Sequence, residues 1–152
     1  GGALHVAMPP PGDALWLRGD RNLLTQALSN LVENALTHGN GNPDIRLETR
    51  RDGDRILLLV SDRGPGIPAE EREKVLKRFY RMDRSRSRPG SGLGLAMCAA
   101  VAHWHGGEMI LSDNDPGLAV TLDLPATPAY KGVATPGPAQ GDRSSMPENT
   151  DQ

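Results

Sequence analysis

Asp20-Arg-Asn-Leu-Leu-Thr-Gln-Ala-Leu-Ser-Asn30-Leu-Val-Glu-Asn34-Ala-Leu-Thr37 is an apolar helical stretch interrupted by two asparagines four residues apart. At about 100° per residue, Leu23, Leu24, Ala27, Leu28, Leu31, Val32, Ala35 and Leu36 share one broad face. This helix must bury one side. Asn34 projects into that face between Leu23 and Ala27, and Asn30 lies about 40° away on its rim. An amide buried without partners costs on the order of 1–3 kcal/mol. Each asparagine therefore holds something, either neighbouring backbone or a ligand, and the rest of the chain favours a ligand.

At 152 residues the chain has the size of one domain with a real core and is too short for two of ordinary size. A formal charge of −2 and an isoelectric point near 6.1 argue against a general nucleic-acid surface. The single cysteine, Cys98, excludes an internal disulfide and a cysteine-built metal site. No apolar run approaches the roughly 20 residues that span a bilayer, and Gly1-Gly2-Ala3-Leu4 has neither the charge nor the apolar stretch of a leader. The expectation is a soluble domain of a reducing compartment, cut from something larger because it lacks an initiating methionine.

Leu4 to Ala7 and Ala14 to Leu17 read as short strands separated by the breaker run Pro9-Pro10-Pro11-Gly12. Asp20 offers an N-cap to the first helix, which Gly39-Asn40-Gly41 stops. Ile45 to Thr49 alternates, Ile56 to Val60 is continuously apolar, and Asp52-Gly53-Asp54 between them signals a hairpin. Pro68 suits the first position of a short helix ending near Leu76, with Glu70 and Glu71 complementing its dipole. Arg78 to Gly92 has loop composition, and Leu93 to His105 is small or apolar nearly all round, as in a helix packed on a sheet. Met109 to Leu111 and Leu118 to Leu124 read as closing strands. The expected division is a domain over 1–125 and a disordered tail rich in Pro, Gly and Ser over 126–152.

Two glycine turns near helices would let backbone approach a ligand with no Cβ in the way. Gly90-Ser91-Gly92-Leu93-Gly94-Leu95 leads into a helix whose free N–H groups and positive dipole end suit phosphate, although a plain flexible turn has the same composition. Asp62 follows the apolar strand and precedes the other turn, Gly64-Pro65-Gly66. There its carboxylate can accept from an exocyclic amine such as that of adenine, or merely shape the turn. Arg78, Arg81, Arg84, Arg86 and Arg88, with Lys77, surround one acid, Asp83, and arginine grips phosphate in bidentate fashion. At most two of these six cations are expected to touch ligand, the others setting the local field.

In order, Asn30-Leu-Val-Glu-Asn34-Ala35, Asp62-Arg-Gly64-Pro-Gly66-Ile67, Arg78-Phe79-Tyr80-Arg81-Met82-Asp83 and Gly90-Ser-Gly92-Leu-Gly94-Leu95 resemble the N, first glycine, F and second glycine boxes of sensor histidine kinase catalytic domains. The likeness spans roughly residues 4–125. It implies the Bergerat fold of the GHKL superfamily: an α+β, two-layer sandwich with a mixed, mostly antiparallel sheet backed by about three helices. By position, Asn34 would bind Mg²⁺ and Asn30 would support the phosphates of ATP. Asp62 would receive the adenine amine, Gly64, Gly66 and Ile67 would line the base pocket, and His38 would lie beside the nucleotide. Arg81 and Arg86 would reach phosphates from a lid over residues 81–91. Ser91, Gly92, Leu93, Gly94 and Leu95 would supply the phosphate-binding helix start.

Two positions depart from that pattern. Many relatives place a basic residue three positions after the metal-binding asparagine, where Thr37 stands here, and Arg63 stands where a small or acidic residue is common. His103 and His105 point about 160° apart on a helix, so they share no metal and are expected to place favourable charge at its C-terminus. Cys98 reads as a small core residue, Glu33 faces away from the asparagines, and Phe79 and Tyr80 read equally as core or as a dock for a partner helix.

The resemblance implies transfer of the γ-phosphoryl of ATP to a histidine on a separate dimerisation helix. None of His5, His38, His103 and His105 has the sequence setting of a phosphoacceptor. Expected partners are those helices of the same full-length kinase and a downstream response regulator, with no nucleic acid. The fragment is expected to be monomeric and cytoplasmic, the full-length protein a homodimer at an inner membrane. The alternatives are a nucleotide-sensing module without transfer, and a GHKL switch ATPase. The latter would carry a water-activating glutamate at position 30, where this chain has an amide.

Overall fold

The computed structural model describes residues 3–9, 15–39, 44–77 and 94–127. Among them are five strands and three helices: β1 (Ala3–Ala7), α1 (Arg21–His38), β2 (Asp44–Asp52), β3 (Arg55–Ser61), α2 (Ala69–Val75), α3 (Gly94–Trp104), β4 (Glu108–Asp113) and β5 (Leu118–Pro125). The strands form one sheet in the order β1-β2-β3-β5-β4, in which β1 lies parallel to β2 and every other pair is antiparallel. One face carries α1 and α3, giving a two-layer α+β sandwich.

Period-two alternation decides which side chains reach the helices. Ile56, Leu58 and Val60 of β3 and Leu118, Val120, Leu122 and Leu124 of β5 point to the buried side, and Ala27, Leu31 and Ala35 of α1 meet Cys98, Val101 and Ala102 of α3 above them. β3 is central, so its continuous apolar run serves both faces. The β2–β3 hairpin turns through Gly53 and Asp54, and Gly53 adopts φ +59°, the left-handed region that the first residue of such a turn requires.

Helix α1 starts where Asp20 Oδ1 accepts the N–H groups of Asn22 at 2.9 Å and Leu23 at 3.0 Å. Of its expected apolar face, Leu36 departs: it is 53% exposed, while Ala35 beside it is buried in the core. Pro68 sits one position earlier than expected, as the residue capping α2, with its carbonyl accepting the Glu71 N–H at 2.9 Å.

Residues 15–17 are not a strand. The alternation is real, since Leu15 and Leu17 pack against the core while Trp16 faces out. Among the described residues, however, the segment pairs with no strand of the sheet, and the Trp16 carbonyl accepts the Thr127 N–H at 2.7 Å. The expected tail boundary falls beside a bonded segment, because Ala126 N also donates to Asp54 O at 2.7 Å. Residues 128–152 and the loop expected over 78–92 lie outside the described residues. Among the described residues, no helix is long and apolar enough to cross a membrane.

Candidate functional site

Three contacts fix how α1 and α3 lie together. Asp20 N donates to His105 Nε2 at 2.9 Å, Cys98 Sγ donates to the Ala27 carbonyl at 3.3 Å, and Asn30 Nδ2 donates to Met97 Sδ at 3.4 Å. Residue numbers fall along α3 as they rise along α1, so the helices are antiparallel. With equal rise per residue in both, the start of α3 at Gly94 comes level with residues 31–33 of α1, between Asn30 and Asn34. The amides and the positive end of α3 thus share one end of the domain. Asn30 and Asn34 are each half-buried, and the first turn of α3 carries no acid that would repel an anion.

The same end receives the turn that follows β3. Ser61 pairs with Ala119, so Asp62 falls beside Leu118. Asp62 N donates to Leu118 O at 2.9 Å, and Asp62 Oδ1 accepts from Gly64 N at 2.9 Å and Leu118 N at 3.3 Å. At 5% exposure this carboxylate is, with Ser61, one of two buried polar side chains among the described residues. Its Oδ1 is held by backbone N–H groups from two segments, the turn itself and the start of β5.

The glycines of this turn are required by crowding. A Cβ on Gly64 would overlap the His38 carbonyl oxygen and touch Gly39, so the turn sits directly on the C-terminal end of α1. Gly66 adopts φ +71°, and a Cβ there would come within 2.8 Å of the Gly117 carbonyl. Ile67 is half-buried against the core, and its carbonyl accepts from Arg72 Nε at 3.3 Å. Leu95 also packs on the core from the first turn of α3, while a Cβ on Gly94 would meet open space.

Among the described residues, then, Asn30, Asn34, His38, Asp62, Gly64, Gly66, Ile67, Gly94 and Leu95 belong to one end of the sandwich. Arg81, Arg86, Ser91, Gly92 and Leu93 lie outside the described residues, as do Phe79 and Tyr80. Four residues were missed by sequence reasoning: Met97, which meets Asn30; Arg72, which joins Ile67 O to Asp113; and Asn114 and Gly117, which press on Asp62. The run Asp113-Asn114-Asp115-Pro116-Gly117 has turn chemistry, but only the β3–β5 pairing brings it to Asp62.

The donor set suits a magnesium nucleotide. A buried carboxylate acceptor beside Cβ-free backbone fits an amino-substituted base. The Asn34 amide supplies a hard oxygen, and magnesium in nucleotide sites takes few protein ligands, completing its shell with water and phosphate. Among the described residues no group of three His, Cys, Asp or Glu gathers for a metal.

His105 is not the helix-end charge expected of it. A backbone N–H can only donate and a carbonyl can only accept. With Nε2 on Asp20 N and Nδ1 2.7 Å from Val101 O, the ring that makes both bonds is therefore the neutral Nδ1–H tautomer. His103 keeps the expected place in the last turn of α3. Burial pushes the Cys98 thiol from 9.0 up to about 12, against the smaller opposite effect of its backbone hydrogen bond.

A mixed five-stranded sheet under antiparallel helices, with a buried aspartate after the central strand, is the architecture of the Bergerat ATP-binding domains. Residues 19–128 match the histidine kinase-, DNA gyrase B- and HSP90-like ATPase family, and the chain belongs to it. The sensor-like histidine kinase SenX3 of Mycolicibacterium smegmatis is 41% identical over 113 residues, covering 72% of this chain and 29% of that protein. The signal transduction histidine-protein kinase/phosphatase MprB of Mycobacterium bovis is 45% identical over 101 residues, 65% of this chain and 20% of its own length. Among solved structures, a mycobacterial sensor histidine kinase MprB superposes with a TM-score of 0.65 at 34% identity, over 82% of each chain. The catalytic domain of histidine kinase ThkA does so at 0.69 and 27% identity, again over 82% of each. Within the family, the chain carries the ATP-binding catalytic domain of a sensor histidine kinase. It spans less than a third of the length of these curated relatives.

Proposed function

We propose that this domain binds Mg·ATP at the shared end of α1, α3 and the β3–α2 turn, and passes the γ-phosphoryl group to a histidine on dimerisation helices of the longer protein. The observation that carries the reading is the convergence of Asp62, Asn30 and Asn34 with the start of α3, from segments far apart in sequence. Asp62 accepts the adenine amine, with Gly64, Gly66 and Ile67 forming the wall beside the base and His38 at its edge. Asn34 holds Mg²⁺ through its amide oxygen, and Asn30 supports the phosphates. Ser91, Gly92, Leu93, Gly94 and Leu95 direct helix N–H groups at them, and Arg81 and Arg86 close over them. Mg²⁺ held by Asn34 would supply neutralisation of the phosphate charge.

The amide at position 30 favours transfer over hydrolysis. Asn30 donates to Met97 Sδ, and an amide offers no carboxylate to take a proton from water. Thr37, at the position where many relatives are basic, donates its hydroxyl to Glu33 O at 2.9 Å, which shifts phosphate grip to the lid arginines. The wider reading follows the relatives: a folded unit through about residue 125, a C-terminal tail beyond it, a monomeric fragment of a homodimeric kinase, a response regulator downstream, and a place on the cytoplasmic side of an inner membrane.

Calorimetric titration of Mg·ATP into the wild-type chain and Asn34→Ala tests the site. The variant is expected to lose the magnesium-dependent part of the affinity while keeping its thermal midpoint. Unchanged Mg·ATP binding would remove Asn34 from the site.

A further inference from the structure

Asp62 is not held by its own turn alone. The hairpin turn between β4 and β5, residues 113–117, grips the Asp62–Ile67 segment at both ends. At one end Asn114 Nδ2 donates to the Asp62 carbonyl at 2.6 Å, while Asn114 N donates to Gly117 O at 3.0 Å and so fixes its own turn. Gly117 packs so closely that a Cβ on it would overlap the Asp62 carbonyl oxygen and approach Arg63 Cα to 2.8 Å. At the other end, Arg72 bonds the Ile67 carbonyl and forms an ion pair with Asp113.

From this geometry we infer that Asn114 is a positioning residue for purine selectivity: by anchoring the Asp62 main chain to the β4–β5 turn, it aims the Asp62 carboxylate. The inference rests on the reading of Asp62 as the acceptor of the adenine amine. Asp62 Oδ1 is already engaged by the N–H groups of Gly64 and Leu118. Those bonds orient the carboxylate only as well as the main chain beneath it is fixed, because a shift of the Asp62 Cα carries the side chain with it. Asn114 supplies the side-chain bond that opposes such a shift, and Gly117 supplies the wall. A carboxylate aimed within hydrogen-bond reach of the amine rejects an analogue that presents a carbonyl there, since two acceptors would then face each other in a buried place. Loosening the aim costs ATP its bond and relieves the analogue of its repulsion. Selectivity therefore falls faster than affinity.

The test compares ATP with ITP, which carries a carbonyl in place of the amine, by calorimetry on the wild-type chain, Asn114→Asp and Asn114→Ser. Asn114→Asp keeps the size and removes the donor; Asn114→Ser retains a hydroxyl donor on a shorter arm. The wild type is expected to prefer ATP. The preference should shrink about fivefold or more in Asn114→Asp and less in Asn114→Ser, with the thermal midpoint recorded for each. Should Asn114→Asp not fold, the ratio in Asn114→Ser decides. A wild-type preference retained within about twofold in folded Asn114→Asp, or in Asn114→Ser where Asn114→Asp does not fold, would overturn the positioning role while leaving Asp62 as the adenine acceptor. A wild type that binds ATP and ITP equally would overturn the reading of Asp62 itself, and the role of Asn114 with it.

Discussion

His105 Nε2 accepts the backbone N–H of Asp20 at 2.9 Å across 85 positions of sequence, joining the start of α1 to the residue just after α3. The ring also bonds its own helix through Nδ1 and Val101 O, and a Cβ on Gly19 would approach its Nε2 to 2.7 Å. One side chain thereby holds two helix ends together at the pole opposite the proposed nucleotide site.

Replacing that ring should loosen the helix pair without touching the nucleotide site. His105→Ala removes two hydrogen bonds and is expected to cost about 1–2 kcal/mol of stability, read as a lower urea midpoint. Mg·ATP affinity should stay within about twofold of wild type. A large loss of affinity with no loss of stability would show that the two poles are coupled in a way the contacts do not predict.

Cys98 predicts an alkaline weakness. With its pKa raised from 9.0 to about 12, the thiol stays protonated in the folded chain over a range where the unfolded chain ionises. Unfolding then releases a proton, so the stabilising contribution present below pH 9.0 is lost as pH rises toward about 12, at up to about 1.4 kcal/mol per pH unit. Urea midpoints measured against pH for wild type and Cys98→Ala should converge over that interval. Parallel curves would contradict the burial argument, as would rapid alkylation of the native thiol at neutral pH.

Gly64→Ala should act on binding more than its small size suggests. The new methyl group overlaps the His38 carbonyl, so either the end of α1 or the Asp62 turn must move. Overpacking of this kind costs about 1–3 kcal/mol, equivalent to roughly tenfold or more in affinity if the turn is what yields. Nucleotide affinity compared across Gly64→Ala and Gly53→Ala checks this. Gly53 is left-handed, unlike Gly64, and its Cβ would meet open space, so its variant should lose stability alone. Equal affinities in the two would show that Gly64 does not border the site.

Much of the fold was legible because periodicity and punctuation agree: the α1 stripe with its Asp20 cap, the alternation of β5 and the Gly53 turn all form as read. Local patterning cannot say which alternating segment finds an edge to pair with, which is why residues 15–17 pack like a strand yet join no sheet. The candidate site was legible only as residues of one segment that the fold brings to one end, as with Asn30 and Asn34 or Asp62 and its glycines. It was illegible where partners come from strand pairing or helix packing. Asn114, Gly117 and Met97 reach the site through register alone, and the N–H that sets the tautomer of His105 comes from another helix.

The proposed activity is phosphoryl transfer to histidine by a domain that does not itself activate water. Its most direct test uses γ-labelled ATP with magnesium, the domain alone and the domain mixed with a dimerisation-helix protein carrying a phosphoacceptor histidine. Acid-labile phosphohistidine on the helix protein is compared with free phosphate in solution. Label is expected on the helix protein, with negligible phosphate release from the domain alone, because position 30 holds an amide and general-base assistance is typically worth about 10²–10⁴-fold. Brisk release by the domain alone, with no label on the helix protein, would contradict the proposed activity and favour a switch ATPase.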